Sequence, residues 1–484
     1  MLSGRIVAVP AQVWDEEVLG PQFAYEAEHL LPWYVAIEKV LVLEYARLGV
    51  LPPDQVQAIG ARLASVELGA DRHRNMSDIA FALEQHVTEA VQSPAWHVDR
   101  SRNDMQAAAQ VCAVRDWTIS AALDTVHFGQ TVEVLAAKST RMPMPGYTHM
   151  QAAQVISPGF YLAALGEETL LALRRLRSGY DELDASPLGA GAMSGQELAW
   201  DRERMAHLLG FARAQPHALV SVASRGWALS VAANLCGYGT ALSRFATDLM
   251  AWGAGAYGFI DLPDALSGIS SAMPQKKNFP ILERIRGRSA HLAGHHADLA
   301  LGLRATPYTN MVEVSKEAGA NLLPLFGTLR SVLRLFTTVV EHLEFQPGRM
   351  RAACEREYLG GFTLANLLTL RCGVAWREAQ VLAGRYIVAA MERGLPPSTP
   401  DGDLLARLGE GHTIDEPEQL LAEAFDVDRA LYAKTTAGGT HPDAVGELLA
   451  AHRAEYADHA AWWQARRDGI AQALSGLDAE LGLS

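Results

Sequence analysis

Four stretches of this chain are rich in Ala and Leu and, once begun, run on without proline: 104–135, 157–180, 225–252 and, after an early Pro324, 321–345. Runs of that length are long bundle helices, because nothing in them breaks the i to i−4 ladder and their apolar residues recur on one face. The early chain is helical too, with Leu41, Tyr45 and Leu48 at helical spacing before a turn at Gly49. Strand-type alternation is scarce. The expected fold is therefore all-α: an N-terminal helical domain over 1–104, a central long-helix bundle over 105–350 and, after the breaker QPGRM at 346–350, a small C-terminal domain of shorter helices over 351–484. The stretch GLPPSTPDGD at 394–403 reads as a linker within that last domain.

With 41 Lys plus Arg against 55 Asp plus Glu, the net charge is −14, which excludes a basic nucleic-acid surface and disfavours adhesion to anionic membrane. The longest uncharged stretch, 226–243, is interrupted by Ser230, Asn234, Gly237, Gly239 and Thr240, which suits helix contacts inside protein better than lipid. The cysteines Cys112, Cys236, Cys354 and Cys372 lack the spacing of a zinc site or a disulfide framework. Buried thiols and an N-terminus unlike a secretory signal make the cytoplasm the expected location.

Pro and Gly collect in three loops, PMPGYTH at 143–149, SPLGAGAMSG at 186–195 and SGISSAMPQKKNFP at 267–280, and chemistry is sought there. The last holds Ser270 and Ser271 shortly before Lys276 and Asn278, with Glu283 opening a helix-like run. A serine hydroxyl becomes a base only if its oxyanion is surrounded by N–H donors and a cation in a site that excludes water. The same composition also fits a surface turn with solvated lysines. Upstream, WHVDRSRNDMQ sets Arg100 and Arg102 around Ser101, followed by Asn103 and Asp104, before a long helix. Either Ser101 or Asp104 caps that helix, or the forked guanidiniums and the helix dipole form a carboxylate site. Thr148 and His149 follow a Pro-Gly pair that reads as a turn, and a lone histidine there is structural or catalytic.

GYTHMQ, SRND and SSAMPQKKN, at these separations, resemble the argininosuccinate lyase branch of the aspartase/fumarase superfamily, as do 186–211 and 364–380. The resemblance spans about 75–390 and rests on the agreement of several segments. It implies a three-domain helical subunit, a homotetramer built as a bundle of bundles, active sites assembled from three chains, and no metal or organic cofactor. It also implies the reaction: a proton leaves the carbon beside a carboxylate of a succinyl group, and the carbon–nitrogen bond breaks to release fumarate. By the same resemblance Ser270 is the base, and Lys276 and Asn278 steady the doubly charged carboxylate, with Ser271 and Met273 completing the loop. Thr148 and His149 fall at substrate-contacting and proton-relay positions and Glu283 at the acid that orients the histidine, while Ser101, Arg102 and Asn103, with Arg100 beside them, bind the succinyl carboxylates.

The departures gather on the amine side. Tyr308 and Lys316 are kept in PYTNMVEVSKEAG, but Glu313 stands where the family has glutamine, Ala80 where it has histidine, and Ser224 and Gly226 where aspartates flank Arg225. A carboxylate at Glu313 favours an amine partner with an extra positive charge or pairs with Lys316. Other N-substituted aspartates, such as aminopolycarboxylates of the ethylenediaminedisuccinate type, are therefore alternative substrates, and addition of an amine to fumarate is an alternative direction. A non-enzymatic scaffold resembling the lens crystallins of this branch is a further alternative, disfavoured by the presence of Ser270, Lys276, Asn278 and His149. The i, i+4 pair His291 and His295 with Asp298 has zinc-compatible spacing but lacks the glutamate of the HExxH arrangement, and GAGAMSG lacks the preceding strand of a dinucleotide loop.

Overall fold

A computed structural model describes residues 8–67 and 79–483. Two early helices, α1 (Gly20–His29) and α2 (Leu31–Arg47), join α3 (Pro53–Ala64) and α4 (Ala80–Thr88) around Tyr34, Ile37, Ile59 and Leu83. Ala80, noted above as a departure, is buried in this N-terminal core. Helix α5 (Arg102–Lys138) has 37 residues, about 55 Å at 1.5 Å each. Its Ala-rich surface lets neighbours approach closely on several sides, and most of its length is buried.

A hairpin of β1 (Met144–Thr148) and β2 (Gln151–Ile156) leads into α6 (Pro158–Leu183), capped by Ser157, whose hydroxyl accepts the Phe160 N–H at 3.0 Å. Then come α7 (Gly226–Gly253), α8 (Pro280–Leu303) and α9 (Leu322–His342). Helix α5 packs on α6, α6 on α7, α7 on α8, α8 on α9, and α9 back on α5, closing a five-helix bundle. The run Glu313–His342 is long and apolar enough to cross a membrane. In this fold its apolar side, Phe326, Leu329, Leu333 and Phe336, is spent on the bundle core.

Four of the long helices match the expected runs; the other two differ from the sequence reading. Helix α8 begins at Pro280, with the proline at its first turn where its missing N–H costs nothing. More consequential is the end of the chain. Helices α10 (Gly361–Cys372), α11 (Trp376–Glu392) and α12 (Pro417–Phe425) form a small separate core, but the following α13 (Pro442–Glu480), with 39 residues, leaves it and lies along α5 and α6. The shorter helices expected after residue 350 thus give way to the longest helix of the described chain, and it packs with the five-helix bundle. Its buried residues Leu449, Tyr456, Trp463, Ile470 and Leu477 recur every seven positions, and Val445, His452 and His459 widen the seam in its first half.

Close approach along that seam depends on glycine. The Tyr456 hydroxyl donates to the Gly166 carbonyl at 2.8 Å, and a Cβ at Gly129 would lie 2.3 Å from the Tyr456 ring. Gly129→Ala is therefore expected to destabilise by about 1–3 kcal/mol through overpacking. Gly446→Ala, which meets nothing within 4 Å on the exposed side of the same helix, is expected to stabilise by about 0.5–1 kcal/mol. Thermal denaturation of the two variants checks the contrast.

Candidate active site

The N-terminus of α5 is fastened before it can present anything. Ser101 is its cap, the hydroxyl accepting the Asn103 N–H at 3.1 Å. The carboxylate of Asp104, fully buried, accepts the Gly189 and Gly191 N–H groups at 2.9 and 3.1 Å, and Asn103 donates to the Ala192 carbonyl at 3.1 Å. Asp99 takes the Leu198 and Glu197 N–H groups and the Trp200 indole N–H. The loop 188–200 therefore wraps around the helix start. Its glycines are required: Gly191 has φ +62°, and a Cβ there would lie 2.4 Å from the Gly195 carbonyl oxygen. The GAGAMSG segment is thus a clamp on the helix.

Around Ser101 the two arginines, Arg100 and Arg102, part company. Arg100 is buried, donating to Glu38 at 2.6 Å, with its guanidinium 5.2 Å from the Trp96 ring centre. That speaks against the expectation that it contacts substrate, since its guanidinium is held inside the N-terminal core by Glu38. Arg102, Asn103 and Ser101 lie at or near the surface.

The loop 268–278 projects from the bundle on a stem closed by a pair of backbone hydrogen bonds between Gly268 and Asn278 (2.8 and 3.0 Å). Beyond the stem Ile269 is 93% exposed, and Ser271, Met273 and Lys276 are exposed as well. Ser270 Oγ accepts the Met273 N–H at 3.2 Å, one of the donors an alkoxide would need. The two lysines differ. Lys277 is held by Asp261 and Asp264 at 3.0 and 3.3 Å, whereas among the described residues Lys276 has no acidic partner.

Thr148 and His149 sit at the tip of the hairpin. The sequence reading put the turn at Pro145-Gly146, but those residues are buried in β1, with a bulge after Gly146, and the turn is His149-Met150, both at positive φ (+52° and +62°). Two left-handed residues without glycine are costly, a strain that clusters at functional sites. The tip borders a cavity of about 680 Å³ with Tyr161, Asp248 and Trp252. Glu283 is exposed on the first turn of α8, and within the chain no hydrogen bond or ion pair joins it to His149.

On the amine side Tyr308 is 60% exposed and Glu313 is exposed at the start of the π-helical turn Glu313–Glu317. Lys316, half-buried, is bonded to Glu26 of α1, which answers the alternatives left open for Glu313: the lysine's ion pair is with another acid. Glu26 was not singled out in the sequence, since it lies about 290 residues away and no motif surrounds it. Arg225 is buried, donating to the Val222 and Ser224 carbonyls, and burial lowers its pKa to about 10. Of the proposed metal set, His295 contacts Thr328 and Asp298 accepts from Asn321.

Removing one member of a buried ion pair strands the other. Arg100→Met is expected to cost about 3–5 kcal/mol, with part recovered in Arg100→Met/Glu38→Leu, as a denaturant double-mutant cycle checks. Burial raises the Asp104 carboxyl to about 6 from 3.8, although the Gly191 and Gly189 N–H groups pull the other way. Between about pH 4 and 6 the native protein therefore holds a proton that the unfolded chain has released, and this group's contribution to stability falls as pH rises. Asp104→Asn is expected to flatten that slope in urea midpoints measured across the window.

Residues 53–294 match the family described as Lyase. The chain is 31% identical over 440 residues to an argininosuccinate lyase of Synechococcus sp. (strain JA-3-3Ab), covering 88% of each chain, and 30% identical over 465 residues to that of Hyphomonas neptunium, covering 93% and 96%. Its fold is similar to a crystal structure of EDDS lyase in complex with formate, with TM-score 0.86 at 24% identity over 99% of this chain and 97% of that one. The chain belongs to this lyase family, on the argininosuccinate lyase branch of the aspartase/fumarase superfamily.

Proposed function

We propose that this carbon–nitrogen lyase releases fumarate from an N-substituted aspartate with Ser270 as its base, in an active site shared between copies of the chain. The Ser270 oxyanion takes the proton from the carbon beside a succinyl carboxylate. The electron pair left behind spreads into that carboxylate, where Lys276 and the Asn278 amide meet the second negative charge. The pair then forms the carbon–carbon double bond as the carbon–nitrogen bond breaks, and the amine nitrogen collects a proton relayed through His149, which Glu283 orients. Ser101, Arg102 and Asn103 hold the carboxylates at the α5 N-terminus, where forked donors and the dipole favour an anion. The scheme moves protons and electron pairs within the substrate and calls on no metal or organic cofactor.

The observation that carries this reading is the projecting loop: Ser270 already accepts a backbone N–H, and six positions on stands an ammonium with no acidic partner among the described residues. Donors aimed at developing charge stabilise the intermediate more than the ground state once water is excluded. In one chain the loop is too exposed for that, as are Thr148, His149 and Glu283, so neighbouring copies supply the enclosure, in a homotetramer. The four cysteines are unpaired, in keeping with the cytoplasm.

The pairing of Lys316 with Glu26 favours a second reading of the substrate, in which the amine partner is not arginine but an amine without a carboxylate for that lysine to meet.

Ser270→Ala is expected to abolish fumarate release, followed by ultraviolet absorbance, with substrate binding nearly intact; turnover like the parent's overturns the assignment. Lys276→Met is expected to lose about 10²-fold to 10³-fold in rate. If sites take their serine and histidine from different chains, reassembling equal amounts of inactive Ser270→Ala and His149→Asn proteins restores up to about a quarter of parental activity. No recovery would place both groups in one chain.

A further inference from the structure

A second cavity, of about 290 Å³, lies between α1, α5 and the segment leading into α9. Both π-helical segments among the described residues, Asp15–Leu19 and Glu313–Glu317, contribute to its wall, and such turns are frequent at functional sites. Among the described residues its charges are unbalanced. Lys316 is neutralised by Glu26, which is 2% exposed and also accepts from Gln106 at 3.4 Å and from the Ile79 N–H at 3.3 Å. Glu17 and Glu317 stand exposed at the rim, and among the described residues neither has a cationic partner. Tyr25 and Trp117 supply aromatic faces. Carboxylates left over beside aromatic rings are the chemistry that holds an organic ammonium.

The position ties this cavity to the proposed site. Gln110, in its wall, lies seven residues beyond Asn103 on α5, about 10 Å along the helix. A substrate with its succinyl group at Ser101–Asn103 would point its nitrogen substituent this way.

We propose that this cavity is the amine-side recognition pocket, that it selects amines bearing a second, positively charged nitrogen, and that Glu26 sets this preference by neutralising Lys316 while Glu17 and Glu317 face the cation. The inference rests on the lyase reading for its link to turnover. A free Lys316 would attract an amine partner carrying a carboxylate; paired to Glu26, it offers that group no net attraction, and the rim repels it.

The test is addition to fumarate with three amines of similar length: putrescine, butylamine, which lacks the second charge, and γ-aminobutyrate, which replaces it with a carboxylate. Putrescine is expected to exceed butylamine by about tenfold or more in kcat/KM, with γ-aminobutyrate poorest. Glu17→Gln/Glu317→Gln, changed only at the exposed rim and so safe for folding, is expected to cut the putrescine-to-butylamine ratio by about tenfold, with the change mainly in KM. Glu26→Gln is expected to raise relative use of γ-aminobutyrate. Equal use of putrescine and butylamine, preference for the amino acid in the parent protein, or a ratio unmoved in the rim variant overturns the pocket while leaving the lyase reading in place. If no amine reacts and no N-substituted aspartate is cleaved, the lyase reading fails, and calorimetric titration with putrescine decides the pocket. Binding that weakens in the rim variant supports it, and absence of binding overturns it.

Discussion

The buried carboxylate of Asp104 is the constraint on which the arrangement at one end of the bundle depends. Its single side chain holds two backbone N–H groups of the loop 188–200 against the first turn of α5. A carboxylate taken out of water is costly unless its lone pairs are filled, and here backbone groups that would otherwise be orphaned in a glycine turn fill them. The loop's shape and the helix's starting point are therefore fixed together. Arg100 pairs inward with Glu38 while Ser101, Arg102 and Asn103 are left outward, and that division follows from where the helix is made to begin.

The bundle's packing explains why the remaining candidates sit where they do. Five helices close around their own apolar faces, and the connections between them, the hairpin tip with His149 and the projecting loop with Ser270 and Lys276, are extruded to the surface. Neither connection can be dried by its own chain. Proton abstraction from carbon needs the oxyanion, the ammonium and the amide in a low-dielectric enclosure, since in water those donors are spent on solvent. The stem between Gly268 and Asn278 and the anchoring of Lys277 make the loop a preformed arm, so the ordering cost of any enclosure around it is largely met within its own chain.

What the sequence made legible follows the range of the interactions involved. Helical runs such as 225–252 report local spacing, and the structure has a helix there from Gly226 to Gly253. The helix α13 went unread as a member of the bundle because its core-facing stripe, Val445 to Leu477, is interrupted by the buried His452 and His459 and diluted by Ala and charge. The hairpin turn was misplaced for a similar reason: Pro-Gly is the stronger local turn signal, but burial of Pro145 and Gly146 in β1 overrode it. Arg100 and Arg102 are indistinguishable by type, and only the partner at Glu38, far along the chain, separates them.

The same logic accounts for where this chain departs from its relatives' pattern. On the proposed reading, holding a succinyl dianion demands the same donors whatever amine is attached, which is why the Ser-Lys-Asn loop and the α5 N-terminus carry recognisable motifs. The amine has no such fixed demand. The pocket proposed for it is built from helix faces, Glu26 on α1, Gln110 and Trp117 on α5, and Lys316 on a π-helical turn, where exchanging one side chain alters charge without disturbing the ladder that holds the helix. An acid on α1 meeting a lysine 290 residues away changes what that lysine can recognise, and nothing near either residue in the sequence announces it. Because the pair is buried, the cost of removing its charges from water has to be met by the contact itself, together with the Gln106 and Ile79 donors, which hold Glu26 in one place. A carboxylate so fixed acts on a ligand through its field and shape more than by adapting to it, and this is how a buried ion pair can set specificity without touching the reacting atoms.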